Sequence, residues 1–324
     1  MIQNRSRMTR RSALNGRSTF GELLDEWLDR EKGRCKASTY AAYSQRAERH
    51  LRPTLGDIRL KKLSEAHYRT LYLALNDLAP ATRSGVLCVL RLILAYGRSC
   101  GLNIASEEEL PREKTENHTI SVLNADELRA LEAALGQDDS LRSLGLRLCL
   151  YTGLRLGEVC ALRWGDLAPD GRTLRVCRTV QRLRNENGTA PRTVLRLDTP
   201  KSSSSARSVP IPSALAAELC ARRLEDGCYL LTESAEHFMD PRTYQLYFRR
   251  MLEKAGIRTV NFHMLRHTFA TRCVDLGLDA KSLSQALGHA DVRTTLNIYV
   301  HPDEKLIRDC QERMMQISGN GCGV

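Results

Sequence analysis

Apolar residues recur along most of this chain every three to four positions, the spacing of helices that turn one face to a core. The first stripe starts behind Thr19-x-x-Glu22, a capping-box spacing, and places Phe20, Leu23, Leu24, Trp27 and Leu28 on one face. A second helix is predicted from about Ser38 to Leu51, stopped by Pro53 and Gly56. A third follows Ser64 with Tyr68, Leu71 and Tyr72. A fourth follows Thr82, burying Val86, Leu87, Leu90 and Leu94, and ends before Gly101. Residues 19–102 read as an all-helical domain behind a flexible arm, 1–18, which carries Arg5, Arg7, Arg10, Arg11, Arg17 and no acid.

Residues 103–118 are polar and acid-rich, with Glu107-Glu108-Glu109 and Pro111, as expected of an interdomain linker. A second domain is predicted over 119–316, with 317–324 as a tail. It opens with a cap, Asn124-x-x-Glu127, before the stripe Leu128, Leu131, Leu135. One helix then leads to Tyr151 and another begins after Gly153. Between Thr173 and Ile211 the period falls to two. Leu174 and Val176 alternate with polar neighbours, Thr193 to Leu197 is a second strand, and Arg207 to Ile211 a third. Asn187-Gly188 lies between the first two. Helices resume from Ser213. The fold class is therefore mainly α with a small antiparallel β-sheet, α+β in the larger domain.

Charge narrows the partner. The net charge is +11, and residues 1–102 hold 19 Lys and Arg against 9 Asp and Glu, so +10 of it lies there. The strand region 172–207 adds nine basic residues against Glu186 and Asp198. Such asymmetry suits a polyanion, nucleic acid first. No apolar run approaches the ~18 residues of a membrane span, and the N-terminal arginines precede no apolar core, so a signal peptide is not expected. The eleven cysteines include no CxxC pair, which argues against thiolate zinc and a disulfide framework and for reduced thiols in a cytoplasmic, nucleoid-associated protein.

Three separated segments supply what phosphodiester transfer without a metal requires. They are Thr152-Gly153-Leu154-Arg155-Leu156-Gly157-Glu158, His263-Met264-Leu265-Arg266-His267, and Leu287-Gly288-His289 with Tyr299 ten residues on. Guanidiniums clamp the charged non-bridging oxygens. A phenol attacks and persists as an ester, and a lysine or histidine protonates the leaving oxygen. His263 and Arg266, three apart, project from one helical face. Each residue also has a plainer reading: Arg155 as the i, i+3 partner of Glu158, Tyr299 as a half-buried aromatic, His289 as a helix-terminus histidine, Lys201 as part of an exposed turn. His267 and His301 read as structural.

In order and spacing these segments resemble the tyrosine recombinases, the phage integrase-like family, over residues 19–315. The resemblance implies a two-domain, C-shaped DNA clamp, a helical SAM-like core-binding domain at 19–102, and no cofactor or metal. It implies that Arg155 and Arg266 clamp the phosphate and that Lys201 protonates the leaving 5′ oxygen. His263 would act on the tyrosine's proton, His289 would hydrogen-bond the phosphate, Glu158 would orient Arg155, and Tyr299 would form a 3′-phosphotyrosyl bond. Met264, where the family often has Asp, departs from the pattern. Expected partners are double-stranded DNA with inverted core sites, three further copies of the chain in a tetramer on a Holliday junction, and accessory bending or directionality factors. Integration or excision of a mobile element is the expected role. Arg46, Arg49, Lys61, Lys62, Arg83 and Arg207 are the candidate DNA contacts outside the catalytic set. A helix over 303–316 would dock on its own domain or on a neighbour. A type IB topoisomerase uses similar groups, but the helical domain and the spacing of Leu287-Gly288-His289 before Tyr299 favour a recombinase. A non-catalytic DNA-binding protein of the same fold would be marked by a lost catalytic residue, and none is missing.

Overall fold

The computed structural model describes residues 14–105, 121–185, 190–191, 193–198, 206–289 and 291–299. Most of the basic arm, most of the expected linker, Lys201, His301, the expected helix over 303–316 and the tail lie outside the described residues. The chain divides into two compact units, 1–118 with 183–194, and 119–182 with 195–324.

In the first unit, α1 (Phe20–Glu31) begins at Thr19 as the cap spacing predicts. The Glu22 amide donates to Thr19 Oγ1 at 3.2 Å, and the Thr19 amide to Glu22 Oε2 at 2.8 Å. The next helix outruns its predicted stop. Helix α2 (Ala37–Arg46) widens into a π-turn over Ala47–Leu51 and continues as α3 (Arg52–Leu55). Pro53 sits in the first turn of α3, where a missing amide proton costs least, and the widened turn gives its ring room. Helix α4 is Glu65–Ala74, and α5 (Pro80–Ser99) starts two residues before Thr82 because Pro80 itself fits a helical first turn. Phe20, Leu23, Leu24, Leu51, Leu55, Leu71, Val86, Leu90, Ile93 and Leu94 are fully buried between these helices. Each such leucine contributes roughly 2 kcal/mol, against about 1 kcal/mol for a cap, so the shared core holds this unit more than its helix ends do.

In the second unit, α6 (Ala125–Gly136) carries its Asn124 cap, and α7 (Leu141–Thr152) is buried nearly all round. A helix covered on most of its sides lies close to the centre of a core. Helix α8 is Leu156–Val159. Among the described residues four strands follow, one more than predicted: β1 (Thr173–Val176), β2 (Thr179–Arg184) and β3 (Thr193–Asp198), whose residues 183–184 and 193–194 count with the first unit, and β4 (Arg207–Pro210). They form two two-stranded sheets, β1 with β4 and β2 with β3, in place of one sheet. Strand β2 escaped the sequence reading because Gln181 and Arg182 break its apolar alternation. The antiparallel β1–β4 register sets Leu174 opposite Val209 and Val176 opposite Arg207. Arg207 and Val209 therefore share the inward face while Ser208 and Pro210 face out.

The remaining helices are α9 (Ser213–Ala221), α10 (Pro241–Lys254), α11 (His263–Asp275), α12 (Ala280–Leu287) and α13 (Val292–Tyr299). Helix α11 packs on α7, α12 and α13. Among the described residues no helix is long and apolar enough to cross a membrane.

Replacing Thr19 by alanine removes the side-chain half of the α1 cap. The expected loss is about 1 kcal/mol, seen as faster hydrogen exchange of the α1 amides with those of α6 unchanged.

Candidate active site

Helix α12 ends in a glycine, Gly288, with φ 67°, a left-handed cap that turns the chain away and leaves its last carbonyls unpaired. Three successive carbonyls there each take one arginine. Ala286 O accepts from Arg207 Nε at 2.6 Å, Leu287 O from Arg266 Nη2 at 2.9 Å, and Gly288 O from Arg155 Nη2 at 3.3 Å. Arg266 also donates to Gly153 O at 2.9 Å, at the left-handed end of α7. Helix C-termini carry partial negative charge, so these contacts suit cations.

One carboxylate serves this group. Glu158, 3% exposed, accepts from Arg155 Nη1 at 2.8 Å and from both terminal nitrogens of Arg207 at 3.0 Å. Its second oxygen also takes the Arg155 amide at 2.9 Å. Burial raises the Glu158 pKa, but the hydrogen bonds and charge of Arg207, with the charge of Arg155, outweigh this and hold it below the usual value. Arg207 thus departs from the expected DNA contact. The strand alternation carries it inward, and its guanidinium is spent on Glu158 and Ala286. Among the described residues Arg266, 1% exposed, bonds two carbonyls and no carboxylate. Burial first, then Arg155, pushes its pKa down to about 9, which still leaves it charged at neutral pH. Two of the three arginines bond the one acid, Glu158, and the excess positive charge suits an anion such as a phosphodiester.

The histidines and the tyrosine border this cluster. His289 Nδ1 lies 2.8 Å from Thr295 Oγ1, which fixes the ring and leaves Nε2 for another partner. Desolvation, then Arg266 and Arg155, pushes His289 down to about 4. His263 is exposed at the rim, yet desolvation and then His267, Arg266 and Arg155 bring it to about 4 as well. Tyr299 is 7% exposed. Burial raises its pKa more than Arg266 and Arg155 lower it, so the phenol keeps its proton at neutral pH. Its oxygen lies 2.6 Å from Nδ1 of His267, the residue read as structural, and not against His263. The i, i+4 spacing of the two histidines was visible in the sequence, but which of them meets α13 was not.

The structure therefore brings together Arg155, Glu158, Arg207, His263, Arg266, His267, His289 and Tyr299. In the first unit Arg49, Lys61 and Lys62 are exposed, while Arg46 is half-buried and Arg83 lies over the Tyr72 ring. Among the described residues no group of three acids, histidines or cysteines is arranged to hold a metal.

A family model described as the phage integrase family matches residues 121–305, and one described as the phage integrase N-terminal SAM-like domain matches residues 19–76. The chain belongs to the phage integrase family, a family of DNA strand-transferring enzymes. It is 30% identical to tyrosine recombinase XerA of Pyrococcus furiosus over 265 residues, 78% of this chain and 84% of that protein. A XerC-like tyrosine recombinase of Caldanaerobacter subterraneus subsp. tengcongensis is 31% identical over 211 residues, 59% of this chain and about half, 52%, of that relative. The fold is that of the Tn1549 transposon integrase, solved in complex with a circular intermediate DNA: TM-score 0.73 and 20% identity over 92% of this chain and 99% of that one.

Two outcomes test this electrostatic account. Glu158→Ala leaves Arg207 buried without its counter-charge and is expected to cost about 3 kcal/mol, read as an earlier thermal transition of the second unit. His263 and His289 have native pKa values near 4 against 6.5 when unfolded. The unfolded chain therefore binds more protons between those values, and stability falls as pH drops from 6.5 towards 4. Urea midpoints across that window should fall less steeply in His289→Gln than in the wild type.

Proposed function

We propose that the chain is a site-specific tyrosine recombinase in which Tyr299 attacks a DNA backbone phosphate. The observation that carries this reading is the cluster of three arginines and one carboxylate beside a protonated, buried phenol. Such a cluster stabilises the charge that develops on the non-bridging oxygens of a phosphate in flight. Arg155 and Arg266 are assigned to those oxygens, His289 to a hydrogen bond with one of them, and Glu158 to orienting Arg155. His263 stands at the rim of the same cluster, in ring contact with His267. The bond from phosphorus to the 5′ oxygen breaks as the phosphotyrosyl bond forms, and Lys201 is proposed to protonate the departing oxygen. A 5′-hydroxyl from a partner duplex then reverses the step. The ester conserves the bond energy, so the exchange needs neither ATP nor a resident metal.

The same reading assigns two duplexes with inverted core sites, a tetramer of this chain, and passage through a Holliday junction. Integration or excision of a mobile element, helped by bending or directionality factors, is the proposed role. Likeness to the Pyrococcus XerA over most of the chain supports recombination. The +10 charge of residues 1–102 supports backbone contacts by Arg46, Arg49, Lys61, Lys62 and Arg83.

The test uses nicked duplexes drawn from DNA flanking the chain's own gene, without metal or ATP. Wild type is expected to form a covalent protein–DNA adduct and Tyr299→Phe none. An adduct that persists in Tyr299→Phe overturns the nucleophile. Tight duplex binding without any adduct from the wild type favours a non-catalytic DNA-binding protein. In the same assay Lys61→Ala with Lys62→Ala should weaken binding to all sequences alike. The salt slope should fall by about one for each phosphate that is no longer neutralised.

A further inference from the structure

The phenol of Tyr299 must lose a proton as it attacks, and at neutral pH it holds that proton firmly. Its oxygen meets one hydrogen-bond partner among the described residues, His267 Nδ1 at 2.6 Å, with the rings 5.7 Å apart. Burial, and then the charge of Arg266, lowers the His267 pKa, so the ring is neutral, and in the tautomer protonated at Nε2 its Nδ1 accepts from the phenol. The ring is held in place: His263, one turn earlier on α11, packs edge-on against it with centroids 4.5 Å apart. Arg266 is the charged group whose field reaches His267, and His263 and Tyr299 are the titratable rings in contact with it.

We propose that His267 is the catalytic base of the nucleophilic step, taking the phenolic proton at Nδ1 as the Tyr299 oxygen bonds to phosphorus. This rests on the recombinase reading with Tyr299 as nucleophile. The oxygen–phosphorus bond forms, the bond to the 5′ oxygen breaks, and the phenolic proton moves to Nδ1 to give an imidazolium. In the return step an incoming 5′-hydroxyl gives its proton back to Lys201 as it displaces the phenolate, which recovers its own proton from His267. The histidine is thus restored each cycle. His263 serves in this scheme as a positioning residue that sets the angle of the His267 ring.

The deciding measurement is the rate of adduct formation between pH 5 and 9 on a nicked duplex with sulfur in place of the bridging 5′ oxygen. A thiolate leaves without a proton, so the rate then reports activation of the tyrosine alone. Wild type is expected to rise with pH up to the lowered histidine pKa and then to level. His267→Asn, whose amide oxygen replaces Nδ1 as an acceptor without its basicity, should be roughly a hundredfold slower at neutral pH. Its rate should climb about tenfold per pH unit as the phenol ionises unaided. Unchanged melting and duplex affinity separate this from loss of fold, and His267→Gly should regain rate with added imidazole. A wild-type rate and profile in His267→Asn, or faster cleavage, overturns the proposal while leaving Tyr299 as nucleophile. An adduct in Tyr299→Phe on the same duplex would instead overturn the underlying reading.

Discussion

The carbonyls of Ala286, Leu287 and Gly288, at the C-terminal end of α12, are where this site is assembled. Each holds one arginine, and those arginines come from 155, 207 and 266, on an α7–α8 turn, a strand and a separate helix. The arrangement requires the left-handed glycine at 288, because a side chain there would be strained and an ordinary helical continuation would pair those carbonyls internally. Gly153 plays the matching part at the end of α7. Its φ is 65°, and a methyl group at its Cα would meet the Phe269 ring at 2.6 Å and a Leu287 methyl at 2.8 Å. The two glycines let two helix ends approach closely enough to share Arg266.

Anchoring cations on carbonyl dipoles rather than carboxylates has an electrostatic consequence. Carbonyls orient a guanidinium without cancelling its charge, and Glu158 neutralises only part of what the three arginines bring. Burial, with this surplus adding to it, drives His263 and His289 to about 4 and keeps them neutral. A bound phosphodiester would supply the missing negative charge and raise them again. Tyr299 feels the same arginines, but its burial dominates, so the field that suits a phosphate does not by itself ionise the phenol.

Local cues read well because they depend on neighbours in sequence. The capping pairs at Thr19 and Asn124, the apolar stripes of α1 and α6, and the alternation of Leu174 with Val176 all form as the spacing implies. Errors arise where distant packing overrides the local cue. Pro53 does not end its helix, since the π-turn before α3 absorbs it. Thr179–Arg184 becomes a strand because β3 pairs with it, although its own pattern is too polar to announce one.

By itself the sequence determined the mainly helical class and the resemblance that marks the family. It also determined the set of arginines, histidines and tyrosine from which a site must be drawn, because residue types and spacings are local properties. Only the tertiary structure decided how that set is used. The β1–β4 register turns Arg207 inward to Glu158, a consequence of which strand it pairs with. The packing of α13 on α11 brings Tyr299 to His267 and not to His263, four residues away on the same helix. Both distinctions depend on contacts between segments far apart in the chain, which no local pattern encodes.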